Sequence, residues 1–167
     1  MYVRDYSVVS NFLSIHVIGL GNASVVEKLI AARCNVNIQE MNGLTPLFIA
    51  AKRGYHAITG QLIAAGCDVD LQTKDERFPV LGEPPRWCLG ETALHVAALF
   101  GNEAVTKQLI AASCKIDLLE ENGQTALHYA VKNGYVAIAE QLIVARCNVD
   151  LQNKHGCTPF YIAAQNR

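Results

Sequence analysis

The chain has 167 residues, 51% of them hydrophobic, and its 14 Lys and Arg residues nearly balance 15 Asp and Glu residues. This apolar content, with a net charge of -1, predicts a folded chain and argues against intrinsic disorder. The lack of a basic excess argues against nucleic acid as a partner.

Membrane-spanning and secretory segments are not evident in the sequence. No apolar run approaches the roughly 18 residues that a membrane-spanning helix needs. The first residues, MYVRDYS, lack the charged region and the long apolar core of a signal peptide. We therefore expect an intracellular protein without direct membrane insertion, in the cytoplasm rather than the nucleus.

The sequence repeats itself with a period of 33 residues. The stretch 90–117, GETALHVAALFGNEAVTKQLIAASCKID, returns at 123–150 as GQTALHYAVKNGYVAIAEQLIVARCNVD. A period of this length is typical of repeat proteins, so we expect a single repeat domain over residues 1–167. In chain order the copies span approximately 12–40, which is degenerate in its first half, then 41–73, 88–120, 121–153 and the incomplete 154–167.

One insertion interrupts the period. Thr45 and Thr92 stand 47 residues apart instead of 33, and the excess of 14 residues falls in the proline-containing segment 74–89. This segment also holds Trp87, the single tryptophan of the chain, and tryptophan is enriched at binding hot spots. Three interpretations of the insertion stay open: a partner-binding loop that uses Trp87, a mobile loop, or a segment that covers the adjacent repeats.

The first helix of each copy has clear start and stop signals. A threonine stands at the N-cap position, as at Thr45 and Thr92, and Pro46 occupies the first helical position, where its missing N–H is harmless. About two turns later the helix ends at a glycine, as at Gly54 and Gly101, because glycine adopts the left-handed conformation without a steric cost.

A second helix follows, with apolar residues on one face. It ends at Gly66 in the second copy, whereas Arg33, Ser113 and Arg146 stand at the equivalent place elsewhere. A left-handed backbone at each of these three residues costs about 1 kcal/mol. Asn-Gly and His-Gly pairs then predict hairpin-like turns between the copies.

Stacked helix pairs bury apolar faces that no pair can bury alone, so the pattern predicts an all-α solenoid. The phrases Thr-Pro-Leu-x-x-Ala-Ala-x-x-Gly and Thr-Ala-Leu-His-x-Ala, with x-Cys-x-Val-Asp after the second helix, resemble ankyrin repeats from Phe12 to Asn166, apart from the insertion. The resemblance implies an ankyrin-repeat solenoid of stacked helix-turn-helix units with hairpin-like loops. Phe48 and Tyr161 depart from the family pattern, which usually has His there.

The resemblance also implies a function, namely a non-enzymatic scaffold that binds an unidentified protein partner through its concave face and finger loops. Leu99 and Phe100 are apolar where the next copy has Lys132 and Asn133, so they form either a partner-binding patch or the seat of the insertion. The recognition surface of the family, carried over to this sequence, comprises Met41, Asn42, Leu44, Lys52, Arg53, Leu89, Glu91, Leu99, Phe100, Glu121, Asn122, Gln124, Lys132 and Asn133, followed by Lys154, His155 and Cys157.

The cysteines favour a structural role. Four of the six share one repeat position, and no C-x-x-C pair of the kind used in zinc sites is present. We therefore expect the four to be small buried side chains, with Cys88 and Cys157 as the candidates for exposed thiols. The four are Cys34, Cys67, Cys114 and Cys147.

The histidines favour a structural role as well. His95 and His128 each follow a threonine by three residues at a helix start, where the imidazole can bond to the threonine and to the backbone of a neighbouring repeat. No nucleophile–base pair accompanies them. We therefore predict no catalytic, cofactor-binding or metal-binding residues, and an enzyme or metal-binding protein is the less favoured class.

Two further alternatives concern the context of the chain. One is a structural spacer within a larger channel, cytoskeletal adaptor or ubiquitin-ligase adaptor protein. The other follows from the irregular first copy and the incomplete last one, which lack recognisable polar caps. We expect a segment of a longer ankyrin array or a truncated product.

Overall fold

The computed structural model describes residues 17–40, 42–74 and 89–165. Within these ranges the chain forms eight α-helices and a short helical segment at 17–19, with no β-strand. The prediction of an all-α fold is confirmed. The helices are α1 (Ala23–Ala31), α2 (Pro46–Arg53), α3 (His56–Ala64), α4 (Ala93–Leu99), α5 (Glu103–Ala111), α6 (Ala126–Lys132), α7 (Val136–Val144) and α8 (Pro159–Gln165).

The helices form two rows. The first helices of successive copies, α2, α4, α6 and α8, pack side by side as the inner row, and α1, α3, α5 and α7 pack side by side as the outer row. Each complete pair, such as α4 and α5, also packs together. One apolar core therefore runs through the stack, with Ala50, Ala97 and Ala130 fully buried where the inner helices meet.

Threonine caps open the inner helices, as predicted. Thr45 Oγ1 accepts from the N–H of Phe48 at 3.0 Å. In the next copy Thr92 Oγ1 accepts from the N–H of His95, while the N–H of Thr92 donates to His95 Nδ1 at 3.1 Å. This reciprocal pair satisfies two N–H groups that the helix cannot pair internally.

The same imidazole ties one copy to the next. His95 Nε2 lies 3.2 Å from the carbonyl oxygen of Gln124, and His128 Nε2 lies 3.1 Å from that of Cys157. Because Nδ1 accepts from the N–H of the capping threonine, the proton of His95 is on Nε2 and donates to Gln124. The predicted structural role of both histidines is confirmed.

The inner helices end at left-handed glycines that a neighbour approaches closely. Gly54 has φ 71° and Gly101 has φ 75°. A Cβ at Gly54 would lie 2.7 Å from Asn102 Oδ1. The Asn102 amide meanwhile donates to the carbonyl oxygens of Ala51 at 2.6 Å and Lys52 at 3.0 Å. The glycine thus allows the next copy to cap the end of the helix before it.

The outer helices also end in the left-handed conformation. Arg33, Ser113 and Arg146 have φ of 60°, 60° and 63°, and Gly66 has φ 77°. Each of the three non-glycine residues therefore carries the cost of about 1 kcal/mol that a left-handed backbone imposes. The turn geometry is therefore imposed by the stack, even where the local sequence disfavours it.

Gly60 lies inside α3, where an alanine would lower the entropy cost of helix formation by about 1 kcal/mol. A Cβ there would meet Gln108 Nε2 at 3.3 Å, which is the mobile end of a side chain. We predict that Gly60→Ala raises the thermal midpoint by roughly 2–4 °C in a calorimetric scan. The control Gly54→Ala lowers it, because its φ is positive and Asn102 fills the space. A Gly60→Ala midpoint that stays equal or falls contradicts this interpretation.

Burial lowers the pKa of His95 to about 4. An unfolded histidine titrates near pH 6.5, so the unfolded chain binds more protons between about pH 6.5 and pH 4, and stability falls as the pH falls through that window. We predict that the titration of His95 lowers the free energy of unfolding by roughly 2–3 kcal/mol as the pH falls from about 7.5 to about 4.5.

The matched variant is His95→Phe, since the second copy already uses Phe48 at this position. Urea unfolding at several pH values should show a shallower loss of stability with acid for the variant than for the wild type. Parallel pH profiles for the two proteins would show that His95 is not the titrating group.

Candidate partner-binding surface

A tight hairpin-like finger joins each outer helix to the next inner helix. In the first finger the N–H of Glu40 donates to the carbonyl of Leu44 at 3.0 Å, and the N–H of Gly43 donates to the backbone carbonyl of Glu40 at 2.8 Å. The pair Glu120 and Gln124 closes the third finger with the same arrangement. Each finger is therefore held by its own backbone.

The finger that receives the insertion is closed in the same way at its base. The N–H of Thr73 donates to the carbonyl of Glu91 at 3.0 Å, and the N–H of Gly90 donates to the carbonyl of Thr73 at 3.0 Å. Thr73 Oγ1 also accepts from the N–H of Glu91 at 2.9 Å. The insertion between Lys74 and Leu89 therefore leaves the regular pairing of the finger intact.

Neighbouring fingers are linked through their tips. The carbonyl oxygen of Asn42 accepts from the N–H of Lys74 at 3.0 Å. The equivalent carbonyls of Leu89 and Asn122 accept from the next copy at 2.6 and 2.9 Å. These bonds fix the spacing of the tips, so the side chains that the tips carry form a row of defined geometry.

The C-terminal ends of the inner helices form a second row beside one another. Arg53 at the end of α2 is exposed, and Phe100 after α4 is 38% exposed. Lys132 and Asn133 at the end of α6 are also exposed, whereas Leu99 is half-buried. Along the stack, the exposed helix ends therefore present a cationic side chain, then an aromatic one, and then a cationic side chain next to an amide.

Together the two rows define the candidate surface. Its exposed members are Arg53, Phe100, Glu121, Lys132 and Asn133. Its half-buried members are Asn42, Lys52, Leu89, Leu99, Asn122 and Gln124.

Two residues of the predicted surface are buried, and their inclusion was wrong. Leu44 is 2% exposed because its side chain packs into the apolar core, and Glu91 is 0% exposed. Glu91 Oε1 accepts from the hydroxyl of Tyr129 at 3.0 Å, so this carboxylate faces the inner row. Two other predicted residues, Met41 and Trp87, lie outside the described residues.

Leu119 was missed. It is 43% exposed and stands beside a finger, at the position that Gln39, Gln72 and Gln152 occupy in other copies. The Gln72 amide donates to the carbonyl of Gly90 at 2.7 Å and to that of Leu119 at 3.3 Å, so glutamine at this position bridges adjacent fingers. The sequence contained a signal for this surface residue, because Leu119 is apolar whereas the other copies have glutamine at this position.

The cysteines do not form a reactive or metal-binding cluster in the described ranges. Burial raises the pKa of Cys67 and of Cys114 to about 11, so little thiolate is present at neutral pH. Of the four cysteines expected to be buried, only Cys147 is, and the other three are half-buried. Cys157, expected to be exposed, is half-buried as well. Cys88 lies outside the described residues. No group of three His, Cys, Asp or Glu side chains in residues 17–40, 42–74 and 89–165 is arranged to hold a metal ion.

Among the described helices, none combines the length and the apolar content that crossing a membrane would require.

Comparison with known proteins identifies the repeat. A family profile described as "Ankyrin repeats (3 copies)" matches residues 13–118 and 94–167. The chain is 32% identical over 66 residues to the potassium channel AKT2/3 of Arabidopsis thaliana, which is 40% of this chain and 8% of the channel. It is 39% identical over 67 residues to the ankyrin repeat and KH domain-containing protein mask-1 of Caenorhabditis elegans, which is 38% of this chain and 3% of that protein.

The two relatives are thus far longer than the matched stretch, which spans less than a tenth of either. Ankyrin repeats generally mediate protein–protein interaction. The profile match over nearly the whole sequence, together with the inner and outer helix rows, shows that the chain belongs to the ankyrin-repeat family.

Proposed function

We propose that this chain is a non-enzymatic scaffold that binds a partner protein through the candidate surface. The observation that carries the proposal is the contrast between two kinds of repeat position. Positions that keep the same residue type, such as Thr92 and Thr125, are buried. Positions at the ends of the inner helices differ between copies and are exposed, as at Arg53 and Phe100.

The chemistry of the surface suits a protein partner. Arginine and aromatic side chains are enriched among the residues that contribute most to binding, and Phe100 lies in the row between Arg53 and Lys132. A partner segment with an apolar side chain flanked by carboxylates would complement this order. The fixed finger spacing lowers the entropy cost of binding, because the loops are already ordered.

The hydrogen bonds of the two buried histidines support a role without catalysis. His95 and His128 use Nδ1 for the helix cap and Nε2 for the carbonyl of the next copy. Burial lowers the pKa of both, which keeps them neutral at physiological pH. Their two nitrogens are therefore engaged in contacts that hold the stack together.

The test is a comparison of two variants in affinity capture from a cell lysate, quantified by mass spectrometry. The surface variant combines Arg53→Glu with Phe100→Asn, and Asn133 already occupies the latter position in the next copy. The control is Val136→Glu on the outer row, because Glu103 occupies that position in the preceding copy.

We predict that the affinity of the surface variant for the captured partners falls tenfold or more, which corresponds to a loss of about 1.4 kcal/mol or more in binding free energy. The yield of captured partners should fall accordingly. The control should capture the same partners as the wild type. Equal yields from the wild type, the surface variant and the control would show that this surface does not bind the captured partners.

A further inference from the structure

A side-chain bridge between adjacent fingers recurs along the stack until it reaches the third finger. The Gln39 amide donates to the carbonyl oxygens of Gly43 at 3.1 Å and Gln72 at 3.2 Å. One copy later the Gln72 amide donates to the carbonyl oxygens of Gly90 at 2.7 Å and Leu119 at 3.3 Å. Because an amide NH2 group carries two donors, each glutamine joins its own finger to the next one with two hydrogen bonds.

Leu119 interrupts this series. It stands at the repeat position of Gln39 and Gln72, and its side chain has no N–H to donate. The acceptors in the same register are the carbonyl oxygens of Gly123 and Gln152, and no donor within the described parts of the chain bonds to either oxygen. We call these two oxygens, together with the Leu119 side chain, the finger seam.

The geometry of the finger seam is held by other bonds. The N–H of Lys154 donates to the carbonyl oxygen of Asn122 at 2.9 Å, which ties the fourth finger to the third. Within the third finger, the Glu120 carboxylate accepts the N–H of Asn122 at 3.0 Å and that of Gln124 at 2.9 Å. Two ordered fingers thus hold the seam acceptors in place, which lowers the entropy cost of binding a donor there.

The residue at the seam is not the one that stabilises the stack best. Leu119 is 43% exposed, and a single exposed leucine is by itself ordinary on a protein surface. Here, however, it replaces a glutamine that would add two hydrogen bonds between fingers. Departures from a stabilising pattern are expected at functional sites, so this departure favours contact with a partner.

We propose that the finger seam binds a protein segment carrying a Gln or Asn side chain next to an aliphatic one. The amide donates to the carbonyl oxygens of Gly123 and Gln152, and the aliphatic side chain packs on Leu119. The chain's own Gln39 and Gln72 specify the amide, since they bond to the equivalent oxygens of the earlier fingers.

Both contacts favour binding. The amide displaces water from two acceptors that are already positioned, and the aliphatic neighbour removes the apolar area of Leu119 from water. The seam adjoins the finger tips of the candidate surface, so this inference rests on the proposed binding of a protein partner and adds the chemistry that the partner must carry.

The first experiment tests whether the seam accepts an amide. In Leu119→Gln the chain itself supplies the amide, and the thermal midpoint should rise by roughly 1–3 °C in a calorimetric scan. Leu119→Glu is the matched control, because its side chain has nearly the same shape but, when ionised, has no donor and meets two carbonyl oxygens with a negative charge. A Leu119→Gln midpoint no higher than that of Leu119→Glu overturns the proposal.

The second experiment identifies what the seam binds. The probe is a phage-displayed library of random peptides, selected on the immobilised full chain and depleted on Leu119→Gln, whose own amide occupies the two oxygens. We expect the recovered peptides to be enriched in Gln or Asn next to Leu, Ile or Val. In fluorescence anisotropy, a synthetic copy should lose tenfold or more in affinity when its Gln is replaced by Glu or its Asn by Asp, because a carboxylate cannot donate.

The outcomes separate this proposal from the previous one. The variant with Arg53→Glu and Phe100→Asn should bind the recovered peptides as the wild type does. If it also captures lysate partners at wild-type yield, the helix ends are contradicted and the seam stands. Failure to recover peptides that depend on Leu119, or recovery of such peptides without enrichment in Gln or Asn, overturns the seam proposal.

Discussion

Each copy depends on the contact that it makes with the next one. A two-helix unit of about 30 residues cannot bury enough apolar surface to fold alone. The chain meets this constraint with contacts that recur at fixed positions: imidazole to backbone carbonyl, Asn or Tyr over a glycine, and Asn or Asp to a backbone N–H. Stability is therefore shared along the stack, and left-handed residues such as Arg146 are tolerated because the stack imposes the turn.

This constraint also divides the repeat positions into those that maintain the fold and those whose side chains can vary to suit a partner. Positions that contact the next copy must keep their chemistry, since a buried polar group such as His95 needs its partners. At the exposed ends of the inner helices the bond to the next copy uses a backbone carbonyl, such as that of Lys52, so the side chains there can differ between copies without loss of the fold. The same fixed helix row thus presents Arg53, Phe100 and Asn133 at matched places.

Local rules predicted much of the fold and part of the surface. Threonine caps and the pairing of Thr92 with His95 follow from the repeat itself, and both were confirmed. Burial was harder to predict, because it depends on neighbouring copies. Leu44 and Glu91 stand at finger positions that the resemblance assigned to the recognition surface, yet one packs into the core and the other accepts a bond from Tyr129. The repeat boundaries, the role of Trp87 and the recognition residues stay predictions.

The central claim is that the ends of the inner helices and the fingers contact the partner. Hydrogen–deuterium exchange on the chain, with and without a captured partner, tests it most directly. The account predicts that binding slows exchange in peptides that contain Arg53, Phe100 and Lys132, and in the finger at residues 121–124. Protection confined to the outer helices α1, α3 and α5, with unchanged exchange at the inner-helix ends, would contradict it.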